Sequence, residues 1–311
     1  MINNVNQQRA CDVLPLAKEI ILRCLQRLAR TLGPPGMVDL LEPGKMLRTR
    51  LAARLAEEGA ARLDPQTLAS ACAATEIIHT ASLCHDDVID NGRVRRGRPS
   101  FWRFTSPSAA VLVGDILLCD ALHLLAGAEA DPGRHGGLPL QVNGCRYLAA
   151  LLEKTKEVCA AEAEQELTTR GGRPDDATLL RIARMKTGPL FAFVAMAAGG
   201  DDADLASALD EAGYCIGTAY QLADDLLDVC GNERSAGKTL GTDSLRRKFT
   251  LPQASPDAAR EQVIAHCAAA LDCLSLWPRA HRAVTLFLSC DLQPVFDSCD
   301  LHLDLCERFT V

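Results

Sequence analysis

Residues 64–92 read DPQTLASACAATEIIHTASLCHDDVIDNG. Asp64 offers an N-cap oxygen, and Pro65 fits the first helical position, where its missing N–H leaves no bond unmade. Apolar residues then recur at helical spacing without a Gly or Pro until Asn91-Gly92, a stop signal. One long helix over 65–90 follows. A second stretch of the same kind, ALDEAGYCIGTAYQLADDLLDV at 208–229, belongs to a helix expected over 203–230 that stops near Gly231. Both helices carry DDxxD in their final turns: Asp86, Asp87 and Asp90 in the first, Asp224, Asp225 and Asp228 in the second.

The remaining chain divides in the same way at its Pro and Gly pairs. Further helices are expected over 14–31, 44–59, 107–130, 140–170, 175–198, 257–274 and 279–290, with a last one near the C-terminus. No alternation of β-branched residues is sustained. The chain has 311 residues, 48% hydrophobic and only 4% aromatic, with Ala and Leu abundant. That combination predicts a single all-α domain over 1–311, its long helices packed as a bundle.

A net charge of -7 excludes a nucleic-acid footprint, which needs a basic face. The 14 cysteines form no CxxC pair and read as reduced, small core residues. The first residues, MINNVNQQRACDV, lack the basic-then-apolar order of a signal peptide. No apolar run approaches the ~20 residues that span a bilayer. These features predict a soluble chain in a reducing compartment, the cytoplasm.

Three carboxylates at a helix C-terminus oppose the macrodipole, and those at i and i+4 repel one another. Exposed acidic helix ends are the plainer reading. The apolar flanks ASLC and QLA instead place both ends near a packed interior, where they need compensating charge. Mg²⁺ suits such oxygen donors, since it binds through a few carboxylates together with substrate phosphates. Basic residues stand nearby in sequence. Lys45 and Arg48, in PGKMLR, are expected at i and i+3 just inside a helix start, close to free backbone N–H groups. Arg95 and Arg96 follow the first acidic cluster in a Gly-flanked loop. Lys238, in AGKTLGTD, and Lys248 follow the second. Singly, each is an ordinary solvated charge. Together they predict two polyanionic groups, one bridged by metal to both acidic clusters and one held by basic side chains alone.

The ordered set GKxxR, EIIHTASLCHDDVID, RRGRPS, GDILL, KTGPLF, YQLADDLLDV and GKTLGTD resembles the trans-isoprenyl diphosphate synthases, or polyprenyl synthetases. The resemblance runs from PGKMLR at 43 to KFTLP at 248–252. It implies a bundle of long helices around a deep central cavity, usually in a homodimer. It also implies head-to-tail joining of an allylic diphosphate, such as farnesyl or geranylgeranyl diphosphate, to isopentenyl diphosphate, with three Mg²⁺ ions per site. By this resemblance Asp86, Asp90 and Asp224 bind Mg²⁺ that bridges to the allylic diphosphate, while Asp87, Asp225 and Asp228 support the metals or their waters. Arg95, Lys186 and Lys238 grip the same diphosphate, with Thr187 and Gln221 nearby. Lys45, Arg48, His79 and Arg96 hold isopentenyl diphosphate without metal. His79 alternatively reads as a satisfied core histidine. The proton lost at the end goes to the departed diphosphate, so no dedicated base is implied.

Some positions depart from the family pattern. Met46 stands where many members carry a second basic residue. Glu164 and Gln165 lie near the place of a family Gln without aligning to it, and receive no role. The C-terminus has Cys299 and Cys306 instead of a basic ending. A class I terpene synthase would not need Lys45, Arg48 and Arg96. A non-catalytic subunit of a heteromeric synthase would not need two whole aspartate motifs. A plain helical scaffold leaves both motifs unexplained.

In the family, the residues four and five places before the first motif floor the cavity under the growing chain. Here they are Ser82 and Ala81, with Ile77 and Ile78 one turn deeper, Ala74 below, and Leu118 and Leu122 on the following helix. Short-chain members carry a bulky aromatic residue there. Small residues imply products longer than geranylgeranyl diphosphate, in the hexaprenyl to decaprenyl range and destined for membranes; a short-chain synthase is the alternative. Ala81→Phe is expected to shorten the product, as read by chromatographic sizing; an unchanged length would contradict the tunnel.

Overall fold

The computed structural model describes residues 13–33, 36–127, 143–230, 249–299 and 301. In chain order its helices are α1 (Val13–Leu32), α2 (Met37–Leu41), α3 (Leu47–Glu57), α4 (Pro65–Ile89), α5 (Phe101–Phe104), α6 (Pro107–Leu125), α7 (Asn143–Glu164), α8 (Asp176–Gly199), α9 (Ala203–Cys230), α10 (Leu251–Ala254), α11 (Pro256–Asp272), α12 (Pro278–Leu286) and α13 (Gln293–Asp297). Single π-helical segments, Gln165–Thr169 and Phe287–Leu292, continue α7 and α12. The all-α expectation holds.

The caps act as their residue types require. Asp64 Oδ1 accepts from the backbone N–H groups of Gln66 (3.1 Å) and Thr67 (3.0 Å), fixing the start of α4. At the other end Asn91 enters the left-handed region at φ 49° and turns the chain away. The next residues differ from the expected loop. Val94–Arg95 (β1) pairs antiparallel with Arg98–Pro99 (β2), across a two-residue turn in which Arg96 and Gly97 have φ 55° and 71°. Two positive φ values match the twist of a tight hairpin. Strands of two residues are too short to leave a periodic signal in sequence.

A second difference lies at the start of α3. Met46 adopts φ 51°, so the helix begins at Leu47 and Lys45 stands outside it. Lys45 and Arg48 therefore do not share a helical face as expected. Lys45 is exposed, and its carbonyl accepts from Arg50 Nε at 2.8 Å.

The bundle is centred on α8 and α9, the most extensively packed pair. Small residues let their backbones touch: a Cβ on Gly217 would lie 2.5 Å from Gly188 Cα, and one on Gly213 would lie 2.4 Å from Ala192 Cα. Helices α4, α7 and α11 pack around this pair, α6 lies along α4, and Phe191, Phe193, Phe287 and Phe296 fill the interior. Among the described residues Cys24, Cys72, Cys84, Cys215, Cys267 and Cys299 are buried, in line with the core reading, whereas Cys119, Cys159 and Cys290 are exposed, contrary to it.

Helix α6 is long and apolar enough to cross a membrane by length and composition, with a mean hydropathy of 1.8. Yet it buries Ala110, Val113, Leu117 and Ala121 and bears Asp115 and Asp120. Asp120 accepts from Cys24 Sγ of α1 at 3.3 Å. It is packed as a bundle helix.

The contact between α8 and α9 generates a test. Gly217→Ala is expected to lower unfolding stability by about 1–3 kcal/mol through overpacking, although Ala is the better helix former by about 1 kcal/mol. Urea denaturation reads the change, and an unmoved midpoint would contradict the close approach.

Candidate active site

The acidic end of α4 is built with the hairpin that follows it. Asp87 is 4% exposed and receives Arg95 in two-pronged fashion, Nη2 to Oδ1 at 2.6 Å and Nε to Oδ2 at 3.2 Å. Ser100 Oγ (2.6 Å) and Trp102 Nε1 (2.7 Å) both donate to the Gly92 carbonyl, pinning the turn that aims Arg95 inward. The charges of this stretch are thus partly each other's partners. Arg95 also lies within electrostatic reach of Asp86 and of Asp224, so it joins the two acidic motifs.

Burial pushes the Asp86 carboxyl up to about 7, the Glu162 and Asp90 carboxylates push the same way, and Lys186 and Arg95 oppose them. The wall facing α4 comes from α7 and α8. Lys186 Nζ pairs with Glu162 Oε1 at 2.8 Å and donates to Gln165 Oε1, on the π-helical segment, at 3.0 Å. Beside it Thr187 donates to Gln221 Oε1, and Gln221 Nε2 donates to Asp225 Oδ1 at 2.7 Å. The middle aspartate of each motif is therefore engaged by a neighbour, Asp87 by Arg95 and Asp225 by Gln221. This bracing was not foreseen, since both were grouped with the metal-supporting residues. Asp224 and Asp228 stand half-buried on the last turns of α9.

A second cationic group lies on the side of α3. Arg48 is 7% exposed, its guanidinium sits 5.1 Å from the centre of the Phe191 ring, and its Nε has no hydrogen-bond partner. A buried donor without a partner is rare and marks a place for a ligand or water. Arg96 reaches from the hairpin turn to donate to the Glu42 carbonyl and lies against Gly44. His79 is held well below its ordinary value by burial and then by Arg48, Arg96 and Arg95, so its imidazole is neutral among these cations. A cleft of about 270 Å³ runs past Thr80, Asp87, Arg95 and Arg96 beside the hairpin.

Of the chain-length candidates, Ala81, Ile77 and Ile78 are buried, while half-buried Ser82 donates to the His79 carbonyl at 2.9 Å. Lys238 and Lys248 lie outside the described residues. Sequence reading missed Glu162, and left Gln165 without a role, because the usual motif is altered there; Arg181 takes Glu164 on the surface instead. It also missed Phe191 beneath Arg48, which only the packing of α8 against α3 could reveal.

Among the described residues no three His, Cys, Asp or Glu side chains stand close enough to hold a metal ion by themselves. The donor chemistry still fits Mg²⁺, which is satisfied by one or two carboxylates when phosphate oxygens complete its shell. Asp86, Asp90 and Asp224 would supply such oxygens, with Arg95 within electrostatic reach of both Asp86 and Asp224.

The Polyprenyl synthetase family profile matches residues 36–265. The octaprenyl diphosphate synthase of Haemophilus influenzae is 34% identical over 181 residues, 57% of this chain and 50% of that protein. The geranylgeranyl diphosphate synthase of Mycobacterium tuberculosis is 34% identical over 201 residues, 63% of this chain and 54% of that protein. The chain thus spans little more than half the length of these curated relatives. Component 2 of the heptaprenyl diphosphate synthase of Geobacillus stearothermophilus is 32% identical, covering 78% of this chain and 71% of that one. Among solved structures, a polyprenyl synthase from Caulobacter crescentus, complexed with calcium and isoprenyl diphosphate, superposes with a TM-score of 0.72 at 23% identity, covering 94% of this chain and 98% of its own. A decaprenyl diphosphate synthase from Rhodobacter capsulatus does so with 0.68 at 22%, covering 95% and 99%. These two share the fold. The extent of the family match decides the assignment: the chain belongs to the polyprenyl synthetase family.

Proposed function

We propose that the protein is a prenyltransferase joining an allylic diphosphate to isopentenyl diphosphate, head to tail, to give a trans-polyprenyl diphosphate longer than geranylgeranyl diphosphate. The observation that carries this reading is the division of the cations. Lys186 and Arg95 stand by the aspartates, whereas Arg48, with its unpartnered buried donor, and Arg96 lie toward α3, and His79 is within electrostatic reach of these two and of Arg95. One diphosphate site would use metal and the other none.

Mg²⁺ held by Asp86, Asp90 and Asp224 together with the allylic diphosphate would neutralise the charge that develops as diphosphate leaves. Lys186, aimed by Glu162 and Gln165, and Arg95, aimed by Asp87, bind the same leaving oxygens in a preorganised geometry. Arg48 and Arg96 fix the second diphosphate so that its hydrocarbon double bond faces the ionising carbon. His79 adds no charge, which suits a group beside an allylic cation. The buried apolar faces of α4 and α8 keep water from that cation. The final proton goes to the departed diphosphate.

Product length is supported by small Ala81 and Ser82; the names of relatives range from farnesyl to octaprenyl synthases. A homodimer is supported by the outward apolar face of α6, where Val111 and Leu112 are 40% and 62% exposed. The component 2 relatives offer a heteromer as the alternative. A cytoplasmic setting suits the free thiols.

Two measurements test the reading. Purified protein with Mg²⁺, labelled isopentenyl diphosphate and farnesyl or geranylgeranyl diphosphate should yield longer chains, and EDTA should abolish them. Asp86→Ala or Asp224→Ala should reduce turnover about a hundredfold or more, the scale of several kcal/mol of charge stabilisation. No elongation with any primer would overturn the proposal, and a cyclic hydrocarbon made without isopentenyl diphosphate would point to a terpene synthase. Because no carboxylate trio is preformed among the described residues, Mg²⁺ alone should leave the melting temperature nearly unmoved. Mg²⁺ with inorganic diphosphate should raise it, by the equivalent of about 2.7 kcal/mol at a hundred times Kd. An equal shift with Mg²⁺ alone would contradict the shared site.

A further inference from the structure

Glu76 interrupts the apolar run AATEIIHT on α4 and is 3% exposed. A carboxylate this deep is rare unless other groups satisfy it. Its Oε1 accepts from two donors of one residue on another helix, the Thr49 backbone N–H at 3.2 Å and Thr49 Oγ1 at 3.1 Å. Thr49 is the third residue of α3, and it too is fully buried.

The first turn of a helix has N–H groups with no internal partner, and a side chain at the N-cap normally takes one. Here the N-cap is Met46, which has no such oxygen and lies in the left-handed region. Glu76 supplies the cap from 27 positions away and brings negative charge to the positive end of α3. The residue before Thr49 is Arg48, with its unpartnered Nε and its guanidinium against Phe191. One turn further along α4, at i+3 from Glu76, stands His79. The two hydrogen bonds therefore tie the rotation of the first turn of α3 to the helix that bears the aspartates.

We propose that Glu76 is a positioning residue for the metal-free diphosphate site: by capping α3 through Thr49 it sets where Arg48 presents its guanidinium. This rests on the assignment of Arg48 to isopentenyl diphosphate made above. A cap with a merely structural role would weaken the fold and affect both substrates alike. A positioning cap moves one Michaelis constant and not the other.

The test is steady-state kinetics of the full chain, Glu76→Ala and Glu76→Gln, each substrate varied in turn with the other and Mg²⁺ saturating. Glu76→Ala should raise KM for isopentenyl diphosphate about tenfold, the scale of a lost helix cap, with KM for the allylic substrate changed less than about twofold. Glu76→Gln keeps an acceptor oxygen for Thr49 and should recover most of the loss. If Glu76→Ala does not fold, Glu76→Gln and Thr49→Val, which removes one of the two bonds, carry the test, and Thr49→Val should raise KM for isopentenyl diphosphate alone. Equal rises for both substrates, or an unmoved KM for isopentenyl diphosphate in a variant that turns over, would overturn the role of Glu76 alone. A wild type that fails to elongate would remove the functional assignment, and this role with it.

Discussion

Like charge held at the wrong end of two helices is the constraint around which this bundle is organised. Asp86 and Asp90 close α4, and Asp224 and Asp228 close α9, each where the macrodipole already concentrates negative potential. Burial first, and then the Glu162 and Asp90 carboxylates, push the Asp86 carboxyl up to about 7. Every cation nearby answers to it. Arg95 is carried in on a hairpin and Lys186 on α8, and Lys186 is held by two further side chains on α7 and its π-helical extension. The fold keeps these groups together without letting them neutralise one another fully, which is the condition for binding a diphosphate with its metals.

The two middle aspartates explain how that balance is kept rigid. Asp87 fixes Arg95 through a two-pronged pair, and Asp225 receives a chain of hydrogen bonds that begins at Thr187. Charge-assisted, directional contacts of this kind hold a site in place before its ligand arrives. On the opposite side the same logic appears in Glu76, Thr49 and Arg48. A buried carboxylate orders a helix start, and the helix start delivers a guanidinium. Pairs of acid and base thus serve as internal supports.

Much of this was legible in sequence because caps and helical periodicity are local. Asp64-Pro65 and Asn91-Gly92 mark the ends of α4 by rules that need no tertiary information, and DDxxD falls where those rules put the last turn. The hairpin at 94–99 escaped because two-residue strands carry no period. The start of α3 shifted because nothing in PGKMLR announces a left-handed Met46. Glu162 and Glu76 remained hidden for a different reason. Each acts on a residue of another helix, Lys186 or Thr49, and sequence order holds no trace of which helices meet. A carboxylate within AATEIIHT was the one available signal, and it said only that a partner must exist.

The central claim is that both acidic helix ends serve one diphosphate through shared metal. Crystals grown with Mn²⁺ and inorganic diphosphate, measured for anomalous scattering of manganese, address it most directly. The account predicts manganese at Asp86 and Asp90 and at Asp224, with one diphosphate bridging the two positions and in contact with Lys186 and Arg95. Manganese confined to one helix end, or a diphosphate bound without contact to either, would contradict it.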